Sequence, residues 1–198
     1  MSKRTFGPNI LRETSNGIYQ IPVEDALFEK RDVYLTDAVD SDSATQLIQQ
    51  FMYLEKENPG APINFYINSP GGSVKDGLAV YDVIRLLKSP VTTICIGLAA
   101  SMGSILFLAA DKRLMLPHSE IMIHDASFGQ AEFSGLKPDE IQQRTDDLIK
   151  TCKTLRGIIE ERTGLSSKVV RDKMKKDSFF KADEAIKLGL ATGIVMAI

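Results

Sequence analysis

VTTICIGLAASMGSILFLAA, residues 91–110, is the stretch on which the fold is read. Its first six residues, Val91-Thr92-Thr93-Ile94-Cys95-Ile96, are β-branched and apolar, the composition of a buried strand. Its last six, Ile105-Leu106-Phe107-Leu108-Ala109-Ala110, read as a buried helix. Between them lie Gly97-Leu98-Ala99-Ala100-Ser101-Met102-Gly103-Ser104, small residues suited to a tight strand-to-helix junction. A hydroxyl at such a junction is exposed by the turn. It also sits beside free helix amides, where developing negative charge is favoured. The pattern is related to the G-x-S-x-G elbow, with Ala99 in place of the first glycine. Taken alone, it fits a nucleophilic serine and a small-residue packing turn equally well.

Working outward, residues 33–36 have strand composition. Ser41-Asp42-Ser43 is suited to capping the amphipathic helix expected over 44–58, where Leu47, Phe51 and Leu54 recur at helical spacing. A strand over 63–67 runs into Ser69-Pro70-Gly71-Gly72-Ser73, and a helix over 74–88 is stopped by Ser89-Pro90. This alternation of strand and helix implies an α/β domain with right-handed crossovers and a mainly parallel sheet. In such sheets, sites form beyond the carboxyl ends of the strands. Both Gly71-Gly72 and Ser101 fall at such ends.

Downstream, two short apolar runs, 114–116 and 121–123, flank Pro117-His118, and the second ends in His124. Residues 125–136 read as an extended excursion rich in small residues. Pro138 opens a long helix to Thr163, closed by Gly164, with few large apolar residues for its length. Such a helix often leaves its domain to pack on a neighbour. A helix over 166–174, the Phe179-Phe180 pair, a helix over 182–188 and a strand at Ile194-Val195 complete the chain. Residues 1–17, with Gly7-Pro8 and Asn16-Gly17, are expected to form a flexible arm or loop. Residues 18–198 are read as a single domain.

The 198 residues are 43% hydrophobic and 25% charged, as in a globular protein. A net charge of −2 gives no bulk attraction to nucleic acid or an anionic membrane. No run reaches the roughly 18 apolar residues of a membrane span, and the N-terminus lacks the apolar core of a secretory signal. Cys95 and Cys152 have no metal-type spacing and read as reduced, buried thiols in a cytosol-like compartment. No metal is expected. The basic run 168–176 reads as a solvated face.

A serine becomes nucleophilic through an adjacent base, which in turn needs an orienting carboxylate. The chain has only two histidines. His124, at a strand end like Ser101, can face a cleft, whereas His118 sits in a turn. Asp125 follows His124 directly, and strand neighbours point to opposite faces, so it is a poor orienter. Asp172, Asp177 and Asp183 remain open, because spacing cannot choose among them. The Gly71-Gly72 turn can aim one amide at an oxyanion and Met102 N–H a second, each worth about 10²–10³ in rate.

Four stretches together resemble the Clp protease proteolytic subunit family (ClpP) over roughly residues 9–195. They are 66–73 (YINSPGGS), 97–103 (GLAASMG), 116–124 (LPHSEIMIH), and 177–180 (DSFF) before Glu184-Ala185. The resemblance implies Ser101 as nucleophile, His124 as general base and Asp177 as its orienter, with the amides of Gly72 and Met102 as the oxyanion hole. It implies the ClpP/crotonase-like fold of stacked βαβ units, with a handle at about 125–163 that stacks two heptameric rings into a chamber. An AAA+ unfoldase of the ClpX, ClpA or ClpC type would feed that chamber and use the ATP, so no cofactor is expected in this chain. Tyr66, Leu86, Ile94, Ile96, Leu114 and Leu116 match the cleft where the unfoldase docks. A cytoplasmic location, a homo-oligomer with a paralogue as a further partner, and an axial loop for residues 1–17 are implied too.

The sequence also departs from the family pattern. Asp125-Ala126 stands where Gln-Pro is usual, Lys176 where arginine precedes the catalytic aspartate, and Asn64 where a cleft tyrosine is expected. A carboxylate at position 125 is expected to raise the pKa of the neighbouring imidazole. These departures motivate one alternative, a structural ring subunit dependent on an active paralogue. A second alternative, an acyl-CoA enzyme of the crotonase type, shares the fold but needs no Ser-His pair.

Overall fold

The computed structural model describes residues 8–15, 17–128 and 135–197. In chain order the elements are β1 (Asn9–Thr14), β2 (Gly17–Pro22), α1 (Val23–Phe28), β3 (Asp32–Leu35), α2 (Ser41–Glu57), β4 (Ile63–Ser69), α3 (Val74–Leu86) and β5 (Val91–Ala100). They continue with α4 (Met102–Phe107), β6 (Lys112–Met115), β7 (Glu120–Ile123), α5 (Pro138–Thr163), α6 (Ser167–Met174), β8 (Ser178–Lys181), α7 (Ala182–Lys187) and β9 (Gly193–Ile194).

Local chemistry accounts for the early helices. Asp40 caps α2, accepting from Ser43 N at 2.8 Å while its own N–H donates to Ser43 Oγ at 2.9 Å. The cap lies one residue before the expected serine-rich cluster, which instead forms the first turn. Ala44, Leu47, Phe51 and Leu54 make the buried stripe of α2. Phe51 meets Phe65 of β4 edge-on, with ring centroids 5.3 Å apart. Burying each such side chain contributes about 1.5–3 kcal/mol. β4 alternates as a half-covered strand should, with Ile63, Phe65 and Ile67 on the helix side.

β5 is the hub of a seven-stranded sheet. It pairs in parallel with β4, with β6 through Thr92–Cys95, and with β7 through Leu98–Ala100. The sheet therefore forks along β5, and β9 continues beyond β6 while β8 pairs antiparallel with β7. The sequence placed the end of this strand at Ile96, in a glycine turn. The strand instead runs on to Ala100, and Gly97 lies within it. A Cβ at Gly97 would stand 2.5 Å from Asn68 Oδ1, which accepts from Leu98 N at 3.0 Å.

No strand was read before residue 33, yet Asn9–Thr14 and Gly17–Pro22 pair as an antiparallel hairpin; residues 1–7 and 16 lie outside the described ones. The excursion over 125–136 is described only in part, since 129–134 also lie outside. α5 is divided along its length. Side chains of its first half are almost all exposed, whereas Cys152, Leu155 and Ile159 bury its second half. Arg162 fastens the last turn, donating to Leu108 O and Ala110 O, both at 2.9 Å. The exposed first half is about 20 Å long at helical rise. No helix among the described residues is long and apolar enough to cross a membrane.

Candidate active site

Ser101 sits where β5 turns into α4, with φ 52° and ψ −120°. Only Arg31 shares a positive φ among the described non-glycine residues. A serine held in this costly conformation marks a functional turn. Its backbone N–H donates to Met122 O at 2.9 Å, tying the turn to β7.

Strand register brings the other groups to it. In the parallel pairing, Ala100 lies opposite Met122, so the chain beyond Ala100 runs beside the chain beyond Met122. In the antiparallel pairing, Ile123 lies opposite Ser178, so the residue after Ile123 faces the residue before Ser178. Those residues are His124 and Asp177. His124 Nε2 lies 2.8 Å from Ser101 Oγ, and His124 Nδ1 lies 3.1 Å from Asp177 Oδ1. The imidazole is 28% exposed and the carboxylate 64%. Ser178 Oγ holds the turn carrying Asp177, donating to Lys173 O at 2.6 Å. His118 lies exposed in its turn, as the sequence indicated.

The Gly71-Gly72 turn packs directly on this serine. A Cβ at Gly71 would lie 2.6 Å from Ala100 O, 2.7 Å from Ser101 Cβ and 2.8 Å from Met102 N. One at Gly72 would lie 2.1 Å from Val39 O. Both glycines have positive φ, 89° and 151°, and with these contacts no other residue fits there. The turn is fixed from outside: Val39 N donates to Gly71 O at 2.8 Å and Ser73 N to Val39 O at 2.7 Å. In this parallel bridge Gly72 spends neither its N–H nor its C=O on Val39. Met102, first residue of α4, has an N–H with no intrahelical acceptor. Two amides therefore stand on the two segments that flank the Ser101 hydroxyl.

Asp125 has a partner of its own. Its carboxylate does not stand free beside the imidazole but accepts from Arg156 Nε at 2.8 Å and from Arg156 Nη2. The pairing holds the Arg156 pKa above its usual value. Arg156 was not singled out in the sequence. An arginine on the buried side of an otherwise solvated helix was its only signal.

On the opposite face of the sheet, period two and register align the expected cleft residues. Tyr66, Ile94 and Leu114 lie side by side on β4, β5 and β6. With Ile96 and Leu116 they line a groove of about 180 Å³. Asn64, Thr92 and Lys112 make its other end polar. Leu86 does not join them. It is 83% exposed at the end of α3 and does not line this groove. Among the described residues, no cluster of three or more His, Cys, Asp or Glu side chains is placed to hold a metal ion.

Residues 15–197 match the family model described as Clp protease. The chain belongs to the Clp protease family. It is 38% identical over 191 residues to the ATP-dependent Clp protease proteolytic subunit of Deinococcus radiodurans, covering 95% of this chain and 91% of that protein. It is 43% identical over 178 residues to the ATP-dependent Clp protease proteolytic subunit 1 of Chlamydia abortus, covering 88% and 91%. Membership makes the chain a serine peptidase of ClpP fold, in accord with the parallel α/β sheet described above.

Proposed function

We propose that this chain is the proteolytic subunit of an ATP-dependent Clp protease, a serine endopeptidase acting on unfolded polypeptides. Ser101 Oγ attacks the scissile carbonyl while His124 takes its proton, and Asp177 orients the imidazole and stabilises its charged form. The oxyanion is received by the Gly72 and Met102 amides. His124 then returns the proton to the leaving amine, giving an acyl-enzyme that water hydrolyses by the same steps in reverse. The observation that carries this reading is the continuous relay from Ser101 Oγ to His124 to Asp177, at 2.8 and 3.1 Å.

In this reading two heptameric rings stack through the exposed half of α5 and enclose the active sites in a cytoplasmic particle. An AAA+ unfoldase consumes the ATP and docks on the groove of Tyr66, Ile94, Ile96, Leu114 and Leu116. A structural subunit with a misaligned triad is disfavoured by the two relay distances, which are already those of hydrogen bonds.

The test is labelling with a serine-directed fluorophosphonate, read by intact mass, with native mass recorded in parallel. Stoichiometric labelling and peptide cleavage are expected, both lost in Ser101→Ala while the assembled mass is kept. A Ser101→Ala particle that still cleaves peptide refutes the assignment.

A further inference from the structure

The two partners of the His124 imidazole are held by different devices. The Asp177 turn is fixed locally through Ser178 Oγ, which donates to Lys173 O and Lys176 O. The His124 side is tied to other elements of the fold. β7 ends at Ile123, so His124 and Asp125 lie outside the sheet. Contacts to helices distant in sequence hold this segment. Asp125 N donates to Met174 O, at the end of α6, at 2.8 Å. The Asp125 carboxylate takes both the Nε and the Nη2 of Arg156. One helical turn earlier on α5, Cys152 Sγ lies 3.6 Å from Ala126 O.

Both members of the ion pair are 26% exposed, well screened from water compared with the exposed Lys150–Asp147 pair on the same helix. A two-point fork between planar groups fixes distance and angle together, which a single contact of a flexible ammonium does not. Removing one partner also leaves the other charge partly desolvated and unpaired.

We propose that Asp125 and Arg156 form a positioning clamp that sets the reach of His124 toward Ser101. The role rests on the reading of His124 as the general base. Neither side chain touches the reacting atoms. The pair acts by fixing the backbone that leaves His124 to the buried half of α5, keeping Nε2 within hydrogen-bond distance of Oγ. A base displaced by an ångström loses about 10²-fold in rate, and the clamp acts on the residue next to the base.

The experiment compares wild type, Arg156→Met, Arg156→Lys, Asp125→Asn and the Asp125→Asn/Arg156→Met double variant. For each, the rate of fluorophosphonate labelling at Ser101, peptide kcat and KM, and native mass are measured. Arg156→Met is expected to keep its native mass, to lose about 10- to 100-fold in labelling rate and kcat, and to change KM less than about twofold. Arg156→Lys falls between it and wild type. The double variant is no slower than the worse single variant, since the two side chains act as a unit. Asp125→Asn keeps the side-chain shape and decides the matter even where Arg156→Met fails to fold. Single variants with kcat within about twofold of wild type, or losses that multiply in the double variant, overturn the clamp. Wild-type protein that takes no label overturns the nucleophile and base assignment beneath it, and is distinguished by needing no variant.

Discussion

Gly71→Ala is the most searching single perturbation of this site. The new methyl would stand 2.6 Å from Ala100 O, 2.7 Å from Ser101 Cβ and 2.8 Å from Met102 N. Two of these are backbone atoms and the third is fixed to the serine turn, so no flexible side chain can move aside. The Gly71-Gly72 turn must then retreat by roughly 0.7–0.9 Å to restore ordinary van der Waals separation. An N–H···O bond of about 2.9 Å lengthened by that amount is no longer a hydrogen bond. Alanine at φ +89° adds about 1–2 kcal/mol of backbone strain in the folded state. The expected outcome is the loss of one oxyanion donor, about 10²–10³ in kcat, or about 2.7–4 kcal/mol of transition-state stabilisation. The melting temperature falls by about 2–4 °C per kcal/mol of strain. The assay is peptide hydrolysis with KM and kcat separated, together with native mass. Labelling by the fluorophosphonate falls in parallel, because its phosphoryl oxygen uses the same donors. A correctly assembled Gly71→Ala particle with kcat within about threefold of wild type refutes the placement of the Gly72 amide in the oxyanion hole.

Two further outcomes concern carboxylates. Asp177→Asn keeps the shape of the orienter but presents the wrong tautomer to His124, and kcat is expected to fall by about 10²–10⁴ with assembly intact; peptide kinetics at constant native mass check it, and an unchanged kcat sinks the orienter role. Asp111 is held below the usual carboxylate range chiefly by its hydrogen bond to Arg162, with Arg85 adding to it. A depressed carboxyl stabilises the fold above its unfolded pKa and loses that effect as pH falls through the folded value. The stability difference between wild type and Asp111→Asn is therefore full near neutrality and closes under acid conditions. Because Asp111 is 85% exposed, the difference also shrinks with added salt. Denaturant titrations at neutral and acid pH, with and without salt, check this, and a difference that widens on acidification contradicts the pairing.

Much of the fold was legible because its signals are local. The stripe of Leu47, Phe51 and Leu54, the alternation in 63–67, Pro138 at the start of α5 and Gly164 at its end each reflect forces within a turn or two of chain. The misses arose where distant segments intervene. The strand read as ending at Ile96 continues to Ala100, because β7 offers a further ladder and Asn68 bonds Leu98 N. No strand was read over residues 9–22, yet Ile10 opposite Ile21 and Leu11 opposite Gln20 pair as a hairpin. Nothing local pointed to the partner of Asp125, a guanidinium 31 residues away. Leu86 matched a motif position, but one chain does not bring it to the groove.

By itself the sequence determined most of the elements after residue 33, that their alternation gives a parallel α/β sheet, and which residue types carry the chemistry. Periodicity, caps and glycine turns are properties of neighbouring residues, and the four matched stretches narrowed the chemistry to Ser101, His124 and Asp177. Only the tertiary structure decided that these three meet, through two registers, Ala100 opposite Met122 and Ile123 opposite Ser178. It also decided that Asp125 belongs to α5 rather than to the imidazole. Register and long-range ion pairs depend on how whole faces pack, since a one-residue slip turns every side chain to the wrong side, and that selection is made only when the complete core closes.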